Sequence, residues 1–368
     1  MEKWTCRQTA MLGGFMIFSA VVGVAPSLVT YGAGSTGWLA IFPAIIALLP
    51  ALFLWTAICR RQGGFSELCT RAVGKAGSKL LFFLLAVWNT IFTAYKLYYM
   101  LEKLDFTLYN FISPSMLCVI VLIPVCFALF YGPALQGRMA QLLGPLILLT
   151  YLPFCFLLLR TADWSQLQIR SQDLPNAALT SLQLTGLWLT GLYPLLACDL
   201  LSDRQNSSHI GWTVGLFCPL ITLIAVIPVV AGLGATLTAQ LPTPALSAMK
   251  LVTLFNRIKR VEAFVFPAWF LTDFISIILL SFLSLRCWKK VWHFREIPAV
   301  VPGFGVLLFG LSSLFSANQQ QVLAFVSVIL SGGNWLFMGV IPLLLWLTAT
   351  VKERLHSKRP QPAFPSSV

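Results

Sequence analysis

Charged residues are scarce in this chain. They make up 10% of its 368 residues, and mean hydropathy is +0.83, whereas a soluble domain has about 25% charged residues. Only 12 residues are Asp or Glu and 3 are His. This composition excludes a soluble globular domain and leaves few groups for acid–base chemistry. The chain is predicted to be an all-α polytopic membrane protein, in which each crossing helix needs about 20 apolar residues.

Signatures of catalysis, metal binding and disulfide frameworks are also missing. The 9 cysteines are odd in number and scattered, with no C-x-x-C pair and no Cys/His cluster. No G-x-x-x-x-G-K-[ST], H-E-x-x-H or G-x-S-x-G motif occurs. We therefore predict a protein that is not an enzyme and that binds no metal or cofactor. No basic motif interleaved with aromatics suggests nucleic acid.

The apolar stretches predict about ten transmembrane helices. Most of the 25 Lys and Arg residues fall on one side of these spans, and the positive-inside rule makes that side cytoplasmic. Both termini are then cytoplasmic. The predicted spans are 9–31, 36–58, 79–101, 115–132, 139–160, 176–201, 211–233, 263–285, 298–316 and 322–349.

The spans divide into two halves of five. Because five is odd, the second half enters the membrane from the opposite side, as in transporters built from inverted repeats. A short amphipathic stretch, 245–262, is predicted to be an outer interfacial helix. The predicted organisation is a first repeat at 1–160, an outer connection at 161–175, a second repeat at 176–350 and a cytoplasmic tail at 351–368.

Two Gly-x-x-P motifs lie in the first span of each half, at Gly23–Pro26 and Gly191–Pro194. Glycine and proline inside a span free backbone groups that lipid cannot satisfy, and such breaks are tolerated where they line a cavity. Paired breaks predict a binding site at mid-membrane. A third string at Gly339–Pro342 shows that the pattern also arises by chance, so a pair of ordinary kinks is the alternative.

The exposed ends of two broken helices could hold a small zwitterion without charged side chains. Half-helix N–H groups attract a carboxylate, and carbonyl groups attract an ammonium or a cation. We therefore predict that helices 1 and 6 are broken and that their main chain forms the pocket. The predicted ligand-binding residues at the two breaks are Gly23, Val24, Ala25, Pro26, Gly191, Tyr193 and Pro194.

A few polar side chains lie inside the predicted spans. Asp273 is near the middle of span 8, where a carboxylate is expensive and is a candidate proton or cation site; a carboxyl held protonated or hydrogen-bonded for packing is the alternative. Asn89 and Trp269 are further candidates for the pocket wall. Lys96 is expected to snorkel to the headgroups, or else to form a gate ion pair with Glu102 or Glu262.

Four stretches of the chain together form a recognisable pattern. They are Thr5-Cys6-Arg7-Gln8, Pro26 with Ala33-Gly34 and Gly37-Trp38-Leu39, Phe65-Ser66-Glu67-Leu68 with Val73-Gly74-Lys75-Ala76-Gly77, and Arg260-Val261-Glu262-Ala263-Phe264 through Trp269. In their order and spacing these stretches resemble the spore germination permease family, the B subunits of nutrient germinant receptors in the amino acid–polyamine–organocation superfamily. The resemblance covers essentially the whole chain. The family often has two glycines before the proline of span 1, whereas this chain keeps one, Gly23.

This resemblance implies a LeuT-like inverted-repeat fold with a pocket formed by spans 1, 3, 6 and 8. It also implies a membrane subunit in the spore inner membrane that senses a small nutrient such as an amino acid. The implied partners are an A-type receptor subunit and a C-type lipoprotein. Two other functions fit the same features: an amino acid transporter coupled to H⁺ or Na⁺, and an ion or water conduit opened by a ligand.

Overall fold

The computed structural model describes residues 3–61, 63–108, 112–160, 162–203, 206–241, 243–251, 262–316 and 329–357. This part of the chain is almost wholly helical and contains no named strand. Its α-helices are α1 Cys6–Ala33, α2 Ile41–Arg60, α3 Gly64–Leu108, α4 Pro114–Phe130, α5 Pro133–Arg160, α6 Leu174–Trp188, α7 Ser207–Leu233, α8 Ala235–Gln240, α9 Pro244–Leu251, α10 Glu262–Trp292, α11 Val301–Ser316, α12 Ser331–Asn334 and α13 Ile341–Ser357.

Seven helical stretches in the described ranges are long and apolar enough to cross a membrane. The first stretch, Cys6–Arg60, contains both α1 and α2, and α4 is a shorter apolar helix. The all-α polytopic fold is therefore confirmed. The boundaries of the two halves stay a prediction. Of the predicted interfacial helix, α9 covers the first part, while 252–261 lie outside the described residues, as do 322–328 of the last span.

Local sequence explains where the helices begin and end. Thr5 and Gln8 form a capping box at the start of α1, with the Thr5 hydroxyl accepting from the Gln8 N–H and the Gln8 side chain accepting from the Thr5 N–H. Gly34 ends α1 with a φ of 54°, which favours glycine. Gly74, with a φ of 76°, bends α3 between its first turns and its membrane-spanning part.

The first helix lies at the centre of the bundle. It packs against α5, α6, α7 and α10, and most of its residues from Leu12 to Thr30 are buried. The longest helices, α3 and α10, pack along each other, and α10 also packs against α1. Long side chains of α3 reach α1, because the Lys96 ammonium bonds to Ser19 and Tyr99 lies against Gly23.

The predicted break in helix 1 is wrong, because α1 keeps helical winding from Cys6 to Ala33. Pro26 removes only its own N–H donor. Hydroxyls nearby reinforce the turn: Ser27 donates to the Val24 carbonyl at 3.0 Å, and Thr30 donates to the Pro26 carbonyl at 2.7 Å. Gly23 serves close packing, since a Cβ there would lie 2.7 Å from the Tyr99 hydroxyl oxygen.

Span 6 does change its winding at the second motif. The α-helix α6 ends at Trp188, and a 3₁₀-helix continues over Leu189–Leu200. Ala197, with a φ of −105° and a ψ of 30°, kinks this segment. The part before the kink is still long for 3₁₀ winding, which usually lasts three or four residues and often marks a functional hinge. Pro194 supplies no N–H, and the Thr190 hydroxyl donates to the Leu187 carbonyl at 2.6 Å. The break predicted at Gly191–Pro194 is therefore present as 3₁₀ winding.

The third Gly-x-x-P string marks a further irregularity. A π-helix covers Trp335–Val340, between α12 and α13, and includes the glycine of that string. Single π-turns inside α-helices occur frequently at functional sites. Here the Met338 carbonyl accepts from the Trp55 indole N–H at 2.8 Å, so the irregular winding contacts α2.

Candidate functional site

A cluster of buried polar groups lies where α1, α3 and α10 meet. The Asp273 carboxylate accepts hydrogen bonds from the Lys103 ammonium and the Ser19 hydroxyl. The Lys96 ammonium donates to the same Ser19 hydroxyl at 2.7 Å. None of these four residues is more than 3% exposed. We call Ser19, Lys96, Lys103 and Asp273 the charged cluster.

Aromatic rings cover one side of the charged cluster. The Lys103 nitrogen lies 4.5 Å from the Tyr99 ring centroid and 4.7 Å from the Trp269 ring centroid, within the range of cation–π attraction. Tyr99 also stacks on Tyr95, with ring centroids 6.0 Å apart. The Tyr99 hydroxyl packs against Gly23 of α1, so the rings close the space between the three helices.

Three buried polar side chains here have no hydrogen-bond partner in the described part of the chain. They are the Tyr99 hydroxyl, the Trp269 indole N–H and both amide atoms of Asn89. A buried polar atom without a partner costs about 1–3 kcal/mol, so native proteins leave few of them. Their concentration on α3 and α10 marks this region as a place where another molecule can supply the missing partners.

Helix periodicity explains how so few elements supply the site. Asn89, Lys96 and Lys103 are spaced by seven residues, close to two turns of α3, and therefore share one face. Trp269 and Asp273 are one turn apart on α10, as are Ser19 and Gly23 on α1. Each helix thus presents one narrow polar stripe, and the three stripes converge.

A second polar group surrounds the 3₁₀ segment of span 6. The Tyr193 hydroxyl accepts from the Trp88 indole N–H at 2.6 Å and donates to the Asn334 side-chain carbonyl at 2.7 Å. The Asn334 amide in turn donates to the Gly186 carbonyl at 2.9 Å. All members are buried and uncharged. We call Trp88, Tyr193, Asn334 and the Gly186 carbonyl the neutral network.

The remaining predicted site residues take part in packing. A Cβ on Gly191 would lie 2.5 Å from the Ile17 side chain of α1, so glycine allows the 3₁₀ segment to approach α1 closely. Pro194, Ala25 and Pro26 are buried, and Val24 is half-buried. Of the residues predicted from sequence, Gly23, Trp269 and Asp273 are brought together at the charged cluster, whereas Tyr193 belongs to the neutral network.

Two members of the charged cluster escaped the sequence analysis, and a third was misjudged. The first two are Lys103 and Ser19, which are not among the site residues predicted from the sequence. The expectation that Lys96 snorkels to the headgroups is wrong, because Lys96 is 2% exposed and its ammonium points to α1. The signal was available in the seven-residue spacing of the two lysines and in the need of Asp273 for a partner.

The end of the bundle that carries the N-terminal segment is closed by the residues before α1. Trp4 is fully buried; its N–H donates to the Leu200 carbonyl at 2.9 Å, and its indole donates to the Pro133 carbonyl at 2.6 Å. Close by, Arg286 of α10 forms an ion pair with Asp199 near the end of the 3₁₀ segment. These contacts hold α1, span 6 and α10 together on the predicted cytoplasmic side.

A cavity of about 680 Å³ lies between α1, α5 and α7. Apolar side chains dominate its wall, including Phe15, Phe18 and Phe217, with Arg7 and His209 at its edge. None of the predicted ligand-binding residues lines it. Within the described residues, no group of three His, Cys, Asp or Glu side chains could hold a metal ion.

Comparison with known proteins agrees with this geometry. The family described as spore germination protein matches residues 7–322. Mhp1, a nucleobase-cation-symport-1 family transporter solved with bromovinylhydantoin bound, is similar in structure, with 13% identity and a TM-score of 0.62 over 98% of this chain and 82% of that chain. MhsT in complex with L-phenylalanine is similar at 14% identity and a TM-score of 0.61, over 96% and 98%.

A manganese transporter from Eremococcus coleocola is also similar, at 12% identity and a TM-score of 0.51, over 93% of this chain and 76% of that chain. At such identities the likeness establishes the fold, which is that of LeuT-type transporters. A search of curated proteins found no match.

Proposed function

Because this chain belongs to the spore germination protein family, we propose that it is the membrane subunit of a nutrient germinant receptor. In this proposal it binds a small nutrient, an amino acid in the first instance, between α1, α3, α10 and the 3₁₀ segment. Binding signals germination together with an A-type receptor subunit and a C-type lipoprotein. The protein then resides in the spore inner membrane with both termini in the cytoplasm.

The observation that carries this proposal is the charged cluster with its unpaired donors. Tyr99 and Trp269 offer an O–H and an N–H that no described residue accepts, directly beside Lys103 and Asp273. In the proposed binding site, Gly23 and Trp269 lie beside Asp273 of the charged cluster, and Asn89 extends the site along α3. Val24, Ala25 and Pro26 continue the α1 wall, and Gly191, Tyr193 and Pro194 shape the span 6 wall.

The site is closed in this conformation, since its polar atoms are buried. A nutrient must therefore enter a conformation in which α1, α3 and α10 stand farther apart. It can shift the balance between open and closed forms only by binding one of them more tightly. The 3₁₀ segment packs closely against α1 at Gly191. We propose that this segment moves when the protein changes between its open and closed forms.

Substitution of an unpaired hydroxyl gives a clean test. Tyr99→Phe removes an oxygen that has no protein partner, so thermal stability of the purified protein is expected to stay equal or to rise. Affinity for the nutrient, found by screening the twenty L-amino acids with isothermal titration calorimetry, is expected to fall about tenfold, the effect of one hydrogen bond to a charged group. Tyr131→Phe, at an exposed tyrosine, is the matched control.

Three outcomes would contradict the proposal. Spores lacking this chain that respond to every nutrient as the parent does would exclude a receptor role. Concentrative uptake of the bound amino acid by proteoliposomes, with no defect in germination, would favour a coupled transporter. Ligand-gated conductance without saturable uptake would favour a conduit.

A further inference from the structure

The two lysines of the charged cluster differ in their partners. Lys103 forms an ion pair with Asp273 and lies over two aromatic rings. Lys96 donates one hydrogen bond, to the neutral Ser19 hydroxyl. An ammonium has three donors, so two N–H groups of Lys96 have no acceptor among the described residues.

Charge in this region is also unbalanced around Lys96. Ser19 stands between Lys96 and Asp273, because it donates to the carboxylate and accepts from the ammonium. The charged cluster thus holds two ammonium groups and one carboxylate, and that carboxylate contacts Lys103 rather than Lys96. A buried cation without an anion in contact is costly. Among the described residues, the group that Lys96 lacks is therefore an anion.

Most of the unpaired atoms nearby are donors. Two N–H groups of Lys96, the Tyr99 O–H, the Trp269 N–H and the Asn89 amide nitrogen can donate, whereas the Asn89 side-chain oxygen is an acceptor. A ligand group rich in acceptors is needed to satisfy these donors. A carboxylate has two oxygens with about four acceptor positions and carries the charge that Lys96 lacks.

We propose that the charged cluster selects nutrients that carry a carboxylate, with Lys96 as the cation that pairs with it. This inference rests on the proposed function, and it replaces the helix-end N–H groups expected from sequence. Because α1 is wound continuously through Gly23–Pro26, its main chain has no freed N–H groups there to hold the carboxylate. The side chain of Lys96 takes that role.

The test compares charged and neutral ligands on two proteins. Purified wild-type protein and Lys96→Met are titrated with the twenty L-amino acids, the primary amides of the same amino acids, glucose, fructose and adenosine. Wild type is expected to bind at least one amino acid and to bind its amide on the order of tenfold or more weakly. Lys96→Met is expected to bind that amino acid as weakly as wild type binds the amide. The affinity of Lys96→Met for the amide is expected to be little lower than that of wild type.

Two further variants separate recognition from folding. Lys79→Met changes an exposed lysine of the same helix and is expected to leave both affinities unchanged. Lys96→Arg keeps the charge and is expected to retain the preference for the acid over the amide. Size-exclusion chromatography and intrinsic tryptophan fluorescence report whether Lys96→Met is folded.

Each result decides between the proposals. Binding of an amino acid and its amide with equal affinity, or binding of sugars or adenosine alone, would overturn the carboxylate inference and leave the receptor function standing. If wild type and Lys96→Met bound the amino acid with equal affinity, the carboxylate inference would also be overturned and the receptor function would stand. Absence of any binding, together with normal germination of spores that lack the chain, would overturn both.

Discussion

The two Gly-x-x-P motifs have the same sequence pattern but very different surroundings. Gly23 lies beside the charged cluster, where Lys103 and Asp273 form an ion pair and unpaired donors remain on Tyr99 and Trp269. The second motif contains Tyr193, whose hydroxyl is satisfied by Trp88 and Asn334 in the neutral network. The first motif keeps its α-helical winding, whereas the second lies in a 3₁₀-helix.

The same sequence pattern therefore occurs in two regions that we expect to have different roles. A fully satisfied network fixes geometry and leaves nothing for a ligand to bind. A cluster with an excess of donors is incomplete without a ligand. The neutral network therefore holds the irregular segment in place, and the charged cluster is the region that we propose to recognise the nutrient. Four substitutions test this division, beginning with the largest expected effect.

Removal of the carboxylate should damage the charged cluster most. Asp273→Ala leaves Lys103 buried without its counter-ion, at a cost of about 3–5 kcal/mol, so we expect a strongly lowered melting temperature or little folded protein. The double variant Asp273→Ala with Lys103→Met should recover much of the loss, because both charges are then gone. Differential scanning fluorimetry in detergent measures both. An unchanged melting temperature in Asp273→Ala would contradict the buried ion pair.

Loss of one hydroxyl should weaken the neutral network without weakening recognition. Tyr193→Phe leaves the Trp88 N–H and the Asn334 carbonyl without partners, at a cost of about 1–3 kcal/mol. Nutrient affinity, measured on the folded variant, is expected to change less than threefold, on the order of 0.6 kcal/mol. For Tyr99→Phe we expect the reverse, with stability unchanged or raised and nutrient affinity lowered. A variant Tyr193→Phe with normal stability and lost binding would reverse the roles of the two regions.

A methyl group at position 23 of the first motif should clash with the Tyr99 ring beside the charged cluster. In Gly23→Ala the new Cβ lies 2.7 Å from the Tyr99 hydroxyl oxygen, so the ring must shift, at a cost of about 1 kcal/mol or slightly more. Gly310→Ala is the control, since it meets nothing within 4 Å and should be neutral or slightly stabilising. Equal melting temperatures for the two variants would mean that Gly23 is not a packing glycine.

The smallest effect is expected at an exposed carboxylate, Asp163, which serves as a comparison for the buried Asp273. Asp163, in the predicted outer connection, accepts hydrogen bonds from the Ser165 hydroxyl, the Gln166 amide and the Ser165 N–H, which hold its pKa below the ordinary value of 3.8. The stabilisation is therefore present above that value and is lost as pH falls through the lower folded-state pKa. We expect Asp163→Asn to lower the melting temperature slightly at about pH 6 and by less at about pH 3. A difference that grows on acidification would contradict this direction.

Sequence was sufficient to predict the fold but only part of the site. Apolar periodicity and scarce charge identify the helical membrane protein, since no soluble fold tolerates such surface. Asp273, Trp269 and Gly23 were identifiable because a carboxylate, an aromatic and a glycine at depth are each unusual. Lys103 could be inferred only from its seven-residue spacing from Lys96 and from the need of Asp273 for a partner, and Ser19 could not be placed without knowing how α1, α3 and α10 face each other. The winding at Gly23–Pro26 depends on hydroxyls and packing that a four-residue motif does not encode.

The central claim is that the charged cluster, with Lys96 as its cation, receives the nutrient. A cryo-electron microscopy structure with the tightest-binding L-amino acid tests this directly. The account predicts a ligand between α1, α3 and α10, with a carboxylate oxygen about 3 Å from the Lys96 nitrogen. A ligand seated in the apolar cavity between α1, α5 and α7, with Lys96 still bonded only to Ser19, would contradict it.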